Sequence, residues 1–99
     1  MSGKYVFVKG LKELRFHFCQ TSEHSANTRA FLLRAYPTMK HHNPHTPIML
    51  REALGVEPRV FARYEFGKEK KEALIGLTDK EIEEKVKGLV KTELPPLTS

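Results

Sequence analysis

The chain holds one cysteine, Cys19, at a place where a thiol can be activated. Residues 16–25 read Phe-His-Phe-Cys-Gln-Thr-Ser-Glu-His-Ser: a strand-like run ends at the sulfur and a helix start follows. Amides and the dipole at a helix N-terminus favour a thiolate, and Cys-x-x-Cys or Cys-x-x-Ser turns use that position. Cys19-Gln-Thr-Ser22 has the second spacing, which would suit a monothiol oxidoreductase of glutaredoxin type. Three features oppose that chemistry. No second cysteine in this chain can resolve a mixed disulfide, the turn lacks the glycine and aromatic residue of monothiol glutaredoxins, and no Lys or Arg lies within three residues of Cys19. The residues therefore read as non-enzymatic, with Cys19 a semi-buried small hydrophobe and Ser22 its former partner position.

The other chemistry-bearing groups are weaker as catalysts. His41, His42 and His45 cluster, and the i, i+4 pair could bind zinc on a helix, but Asn43-Pro44 interrupts and no carboxylate or cysteine completes a set. They read as a solvated loop. His17 alternates with Phe16 and Phe18 and faces solvent or a partner. His24 stands beside the Cys19 turn, where a Cys–His pair would need hydrogen-bond reach. Arg51-Glu52 and Arg63-Tyr64 are a different matter. Arg51 ends an apolar run and Arg63 interrupts a β-rich segment. Arginine and tyrosine are enriched at interface hot spots, so these four residues form a candidate partner surface. The alternative is an internal ion pair of Arg51 or Arg63 with Glu65.

Ninety-nine residues suit one domain. A lone cysteine excludes an internal disulfide and a cysteine-rich zinc or iron–sulfur site, and fits a reducing compartment. The Met1 region has neither the long apolar stretch nor the cleavage site of a secretory signal. Net charge is +5 and uneven: residues 1–51 carry eight Lys/Arg against Glu13 and Glu23, while residues 52–99 carry nine against ten acids. A basic half permits contact with RNA, an acidic protein or anionic lipid, without selecting among them. The first twelve residues hold three lysines and no acid, as an uncleaved mitochondrial import signal would.

The elements that would position these groups follow from periodicity. Residues 1–10 form an arm with Tyr5, Val6, Phe7 and Val8 as a docking patch. Leu14, Phe16 and Phe18 alternate as a strand. Ser22 or Ser25 would cap a helix whose buried stripe is Thr28, Phe31, Leu32, Ala35 and Met39. Pro37 should kink or break it before Asn43-Pro44. Pro47-Ile-Met-Leu50 suits a parallel strand buried on both faces, and a helical turn could follow at Glu52-Ala-Leu. Val60–Phe66 and Glu69–Ile75 form a hairpin turning at Gly67. Thr78-Asp-Lys-Glu81 is a capping box opening an amphipathic helix on Ile82, Val86, Leu89 and Val90. Residues 93–99 are a tail, which leaves 11–92 as the domain. The order β-α-β then β-β-α implies an α/β fold of thioredoxin-like type, a four-stranded mixed sheet with helices on both faces. In that fold a cis-proline precedes the hairpin, the position of Pro58.

The set Cys19-Gln20, Ser22, Ser25, Arg29, Phe31, Tyr36, Asn43-Pro44, Pro47-Ile48, Arg51-Glu52, Pro58, Ala62-Arg63-Tyr64, Phe66-Gly67 and Glu69 resembles a small family of thioredoxin-like accessory subunits of mitochondrial NADH:ubiquinone oxidoreductase, respiratory complex I. The wider family includes two mitochondrial ribosomal proteins. The resemblance spans residues 11 to 91. It implies a structural subunit on the matrix side of the inner membrane, in the NADH-oxidising module, against the large iron–sulfur subunit. It implies no flavin, iron–sulfur cluster, quinone or other cofactor held by this chain, no direct nucleic acid, and attachment to the membrane only through the complex. Some relatives carry a second cysteine just after the Arg-Glu pair; here Ala53 stands there. A ribosomal protein binding rRNA is the alternative within the same family.

Overall fold

A computed structural model describes residues 7–91. The chain runs β1 (Leu11–Phe18), α1 (Ala26–His42), β2 (Ile48–Glu52), β3 (Arg59–Tyr64), β4 (Glu69–Ala73) and α2 (Asp79–Lys91), with short 3-10 turns at Glu23–Ser25 and Glu65–Gly67. The strands form one mixed sheet in the order β2-β1-β3-β4. β1 pairs in parallel with β2 and antiparallel with β3, and β3 pairs antiparallel with β4. This is the expected four-stranded α/β arrangement, with β2 and β4 as its edges.

The strands alternate as their sequence demands. Leu14, Phe16 and Phe18 of β1 and Val60, Ala62 and Tyr64 of β3 are buried. They meet Phe31, Leu32, Ala35 and Met39 of α1 and Ile82, Val86, Leu89 and Val90 of α2 in a single core. The helices also touch each other, where Arg34 of α1 reaches Asp79 and Glu83 of α2. Both described helices therefore lie on one face of the sheet. The expectation of helices on both faces does not hold, because the segment joining β2 to β3 is a turn and not a covering helix. Ala53–Val56 closes that turn with Gly55 at φ 76°, and the helical turn expected at Glu52-Ala-Leu is absent. For the same reason β2 is not buried on both faces. Ile48 is buried, but Leu50, Arg51 and Glu52 are exposed.

Other local expectations resolve in physical terms. Thr78 and Glu81 form the capping box: the Thr78 amide donates to Glu81 Oε1 (2.9 Å) and the Glu81 amide to Thr78 Oγ1 (3.2 Å). Helix α1 runs unbroken through Pro37. The lost amide would have met the Leu33 carbonyl on the solvent side, where the Leu33 side chain is 84% exposed, and buried residues before and after Pro37 hold the axis together. The hairpin turns at Glu65–Gly67, closed by the Tyr64 amide on the Lys68 carbonyl (2.7 Å). Gly67 has φ 73°, as its position demands, but Phe66 adopts φ 64° as well. Of the expected arm patch, Phe7 and Val8 pack on the core; Tyr5, Val6 and the 93–99 tail lie outside the described residues.

Candidate functional site

The Cys19 turn is built from three separate stretches. The Cys19 amide donates to Ser25 Oγ (3.0 Å), so the Ser25 hydroxyl holds the strand end rather than capping the helix. Ser22 makes no side-chain cap bond either. One terminal nitrogen of Arg29 donates to both the Cys19 carbonyl (2.8 Å) and the Ser22 carbonyl (2.9 Å). From the β2–β3 turn, the Gly55 amide donates to Cys19 Sγ (3.2 Å). The positive φ of Gly55 lets that amide point at the sulfur.

These donors act on the thiol. The Ser22 hydroxyl, then the amides of Thr21 and Gly55, draw the Cys19 pKa down to about 6, against the opposing effect of burial. The absence of a basic residue near Cys19 in sequence therefore does not leave the thiolate unsupported. The side chain is nevertheless fully buried and unpaired. Such a sulfur can hold a charge internally but presents no surface to a substrate.

Pro58 is buried and begins the hairpin. The register, with Arg59 opposite His17, sets it beside Phe18 and the Cys19 turn. Its peptide bond is trans, as are all described peptide bonds, so the expected cis-proline is absent. A trans bond is the lower-energy state of an X–Pro unit by roughly 0.5–1 kcal/mol. The Pro58 carbonyl accepts the Leu74 amide (2.9 Å).

The four candidate interface residues divide. Tyr64 is 3% exposed and its hydroxyl donates to the Leu89 carbonyl (2.6 Å). It ties β3 to α2 and offers no contact surface, because the even positions of β3 face the helices. Arg51, Glu52 and Arg63 are exposed. Glu65 pairs with Lys12 (3.9 Å), so neither arginine forms the internal ion pair considered for it. Glu52 lines an apolar groove with Phe18, Leu32, Leu33, Tyr36 and Leu50 between α1 and β2. The rings of His41 and His42 lie 5.3 Å apart on the last turn of α1. Among the described residues no group of three His, Cys, Asp or Glu side chains could hold a metal ion.

Two participants were missed in the sequence. Gly55 was legible only as a turn glycine. Arg29 carried a signal that was available: a cation in the first turns of a helix opposes the helix dipole, so it needs a local acceptor, and the carbonyls of the preceding turn supply it.

Residues 28–81 match the family model described as the mitochondrial ribosomal protein L51 / S25 / CI-B8 domain. The chain is 64% identical over 91 residues to a protein of Neurospora crassa named NADH-ubiquinone oxidoreductase 10.5 kDa subunit, covering 92% of this chain and 97% of that one. It is 44% identical to NADH dehydrogenase [ubiquinone] 1 alpha subcomplex subunit 2 of Arabidopsis thaliana, over 85% of this chain and 87% of that one. The protein of the same name from Mus musculus is 41% identical over 74% of each chain. A family model matched over more than half of the chain, and relatives matched along most of their own length, make this protein a member of the L51 / S25 / CI-B8 family.

Proposed function

We propose that the chain is an accessory, non-catalytic subunit of mitochondrial NADH:ubiquinone oxidoreductase. The observation that carries this reading is the 64% identity to the Neurospora crassa subunit across nearly the whole of both chains. The finer reading sets the protein on the matrix side of the inner membrane, in the NADH-oxidising module, against the large iron–sulfur subunit. It would act by packing, a folded domain steadying a larger redox partner. A single, fully buried thiol with Ala53 in place of a second cysteine supports that passivity, since a disulfide exchange cycle needs an accessible sulfur and a means of resolution.

Native isolation of the tagged full chain tests the reading. NADH dehydrogenase activity and the large iron–sulfur subunit should accompany it, and a Cys19→Ser chain should retain both. Recovery with mitochondrial ribosomal RNA instead would select the ribosomal alternative. Repeated glutathione-dependent disulfide reduction by the purified chain, abolished by Cys19→Ser, would overturn the non-catalytic role.

A further inference from the structure

The sheet face opposite the helices is lined by the odd positions of β1 and β3 and their cross-strand neighbours. At one end the register sets Arg51, His17 and Arg59 side by side across three strands. The next row is Met49, Arg15, Phe61 and Lys71, and the one beyond is Glu13, Arg63 and Glu69. Arg51 and Arg59 thus flank His17, one strand to either side, and set two guanidiniums about one ring on the open face.

Internal pairing covers only part of this charge. Glu13 neutralises Arg15, and Glu57 stands 3.5 Å from Arg59. Arg51 reaches only the Met49 sulfur, at 3.9 Å, and Arg63 makes no ion pair among the described residues. Arg15, His17, Arg51 and Glu52 line an open cleft of 430 Å³ together with Ala53 and Val56. His17 leans on Phe61, ring centroids 4.7 Å apart and planes inclined at 50°, which gives the basic row an apolar neighbour. Burial and then the fields of Arg15, Arg51 and Arg59 depress the His17 pKa and favour its neutral ring.

We infer that this open sheet face docks a carboxylate-rich segment of a neighbouring protein subunit, whose acidic side chains reach Arg51 and Arg63 while an apolar residue rests on Phe61 and His17. The inference rests on the accessory-subunit reading and names the surface and the partner chemistry that reading leaves open. A protein segment fits better than a nucleic-acid backbone. Glu13, Glu69 and Glu52 are interspersed on and beside the face and would repel a continuous run of phosphates, whereas discrete carboxylates can be matched to discrete guanidiniums.

The test uses the tagged full chain in cells lacking the untagged copy. Arg51→Glu/Arg63→Glu is compared with Lys80→Glu, a reversal of equal sign on the exposed side of α2. Thermal melting of each purified chain checks folding. The double variant is expected to stay folded and to melt somewhat below the parent, because Arg63→Glu sets a third carboxylate between Glu13 and Glu69, while its recovery with the complex falls about tenfold or more. Lys80→Glu should leave recovery within about twofold. A photo-crosslinking residue at Phe61 should attach to a subunit segment carrying Asp or Glu within a few residues of the crosslink. Undiminished recovery of the double variant, or a Phe61 crosslink to RNA or to a segment without acids, overturns the inference. If the parent chain itself fails to accompany the complex, the accessory-subunit reading fails, and the two failures are told apart.

Discussion

Replacing Arg29 with methionine probes how the Cys19 turn is held. The parent guanidinium makes two charge-assisted hydrogen bonds, to the carbonyls of Cys19 and Ser22. Each is worth roughly 1.5 kcal/mol at the low end of the range for charged donors, which suits a half-buried group. Removing a cation from the first turns of α1 returns up to about 1 kcal/mol of relieved dipole repulsion. The net loss is therefore about 2 kcal/mol, and in a domain of this size that lowers Tm by roughly 8–16 °C. The turn should also loosen. The Ser22 hydroxyl and the Thr21 amide then leave the sulfur, and the Cys19 pKa climbs from about 6 toward the unperturbed value near 8.5. Calorimetry reads the first effect and a thiolate absorbance titration the second. A Tm within about 2 °C of the parent, or an unmoved thiol titration, would refute the claim that Arg29 shapes this turn.

Three further outcomes follow from the geometry. Tyr64→Phe strands the buried Leu89 carbonyl and should cost about 1–2 kcal/mol in urea unfolding without altering the slope. Phe66→Asn suits the left-handed backbone at the hairpin tip, where the phenyl ring is 80% exposed and buries little. It should stabilise the chain by about 0.5–1 kcal/mol, and a loss of stability would mean that the ring makes contacts outweighing the strain. Cys19 has a folded pKa of about 6, below its unfolded value, so the unfolded chain binds more protons across the interval between the two. Its contribution is complete above the unfolded pKa and disappears as pH falls through about 6. Urea midpoints should rise from about pH 6 to 8.5 more steeply in the parent than in Cys19→Ser, and parallel curves would contradict the low thiol pKa.

Much of the fold was legible because its signals are local. The Leu14-Phe16-Phe18 alternation, the Thr78…Glu81 box and the Ile82-Val86-Leu89-Val90 stripe each report an element through a few neighbouring residues. Placing both helices on one face was not legible in this way. It depends on what the 53–58 connection leaves out, and the apolar run Pro47–Leu50 looks the same whether its second face is covered or open. Pro37 misled because its cost depends on which side of the helix the freed carbonyl faces. At the site, Cys19 and Ser22 stood out by spacing, but Arg29 and Gly55 reach the sulfur turn from ten and thirty-six residues away. The split between Arg63 and Tyr64 needed only the strand's period of two, once Val60 and Ala62 were known to face the helices.

The two borders of the sheet are unlike. β4 ends the sheet with Glu69-Lys70-Lys71-Glu72, a row of charges that discourages another strand from annealing to it. β2 ends it with Ile48-Met49-Leu50, an uncharged stretch ahead of Arg51 and Glu52, its outward main-chain donors and acceptors unshielded by any described helix. A copy made in excess of its partners thus has one adhesive rim, and two orphan copies could zip together along it. Keeping production in step with the rest of the assembly would matter more for this protein than for one sealed on both sides.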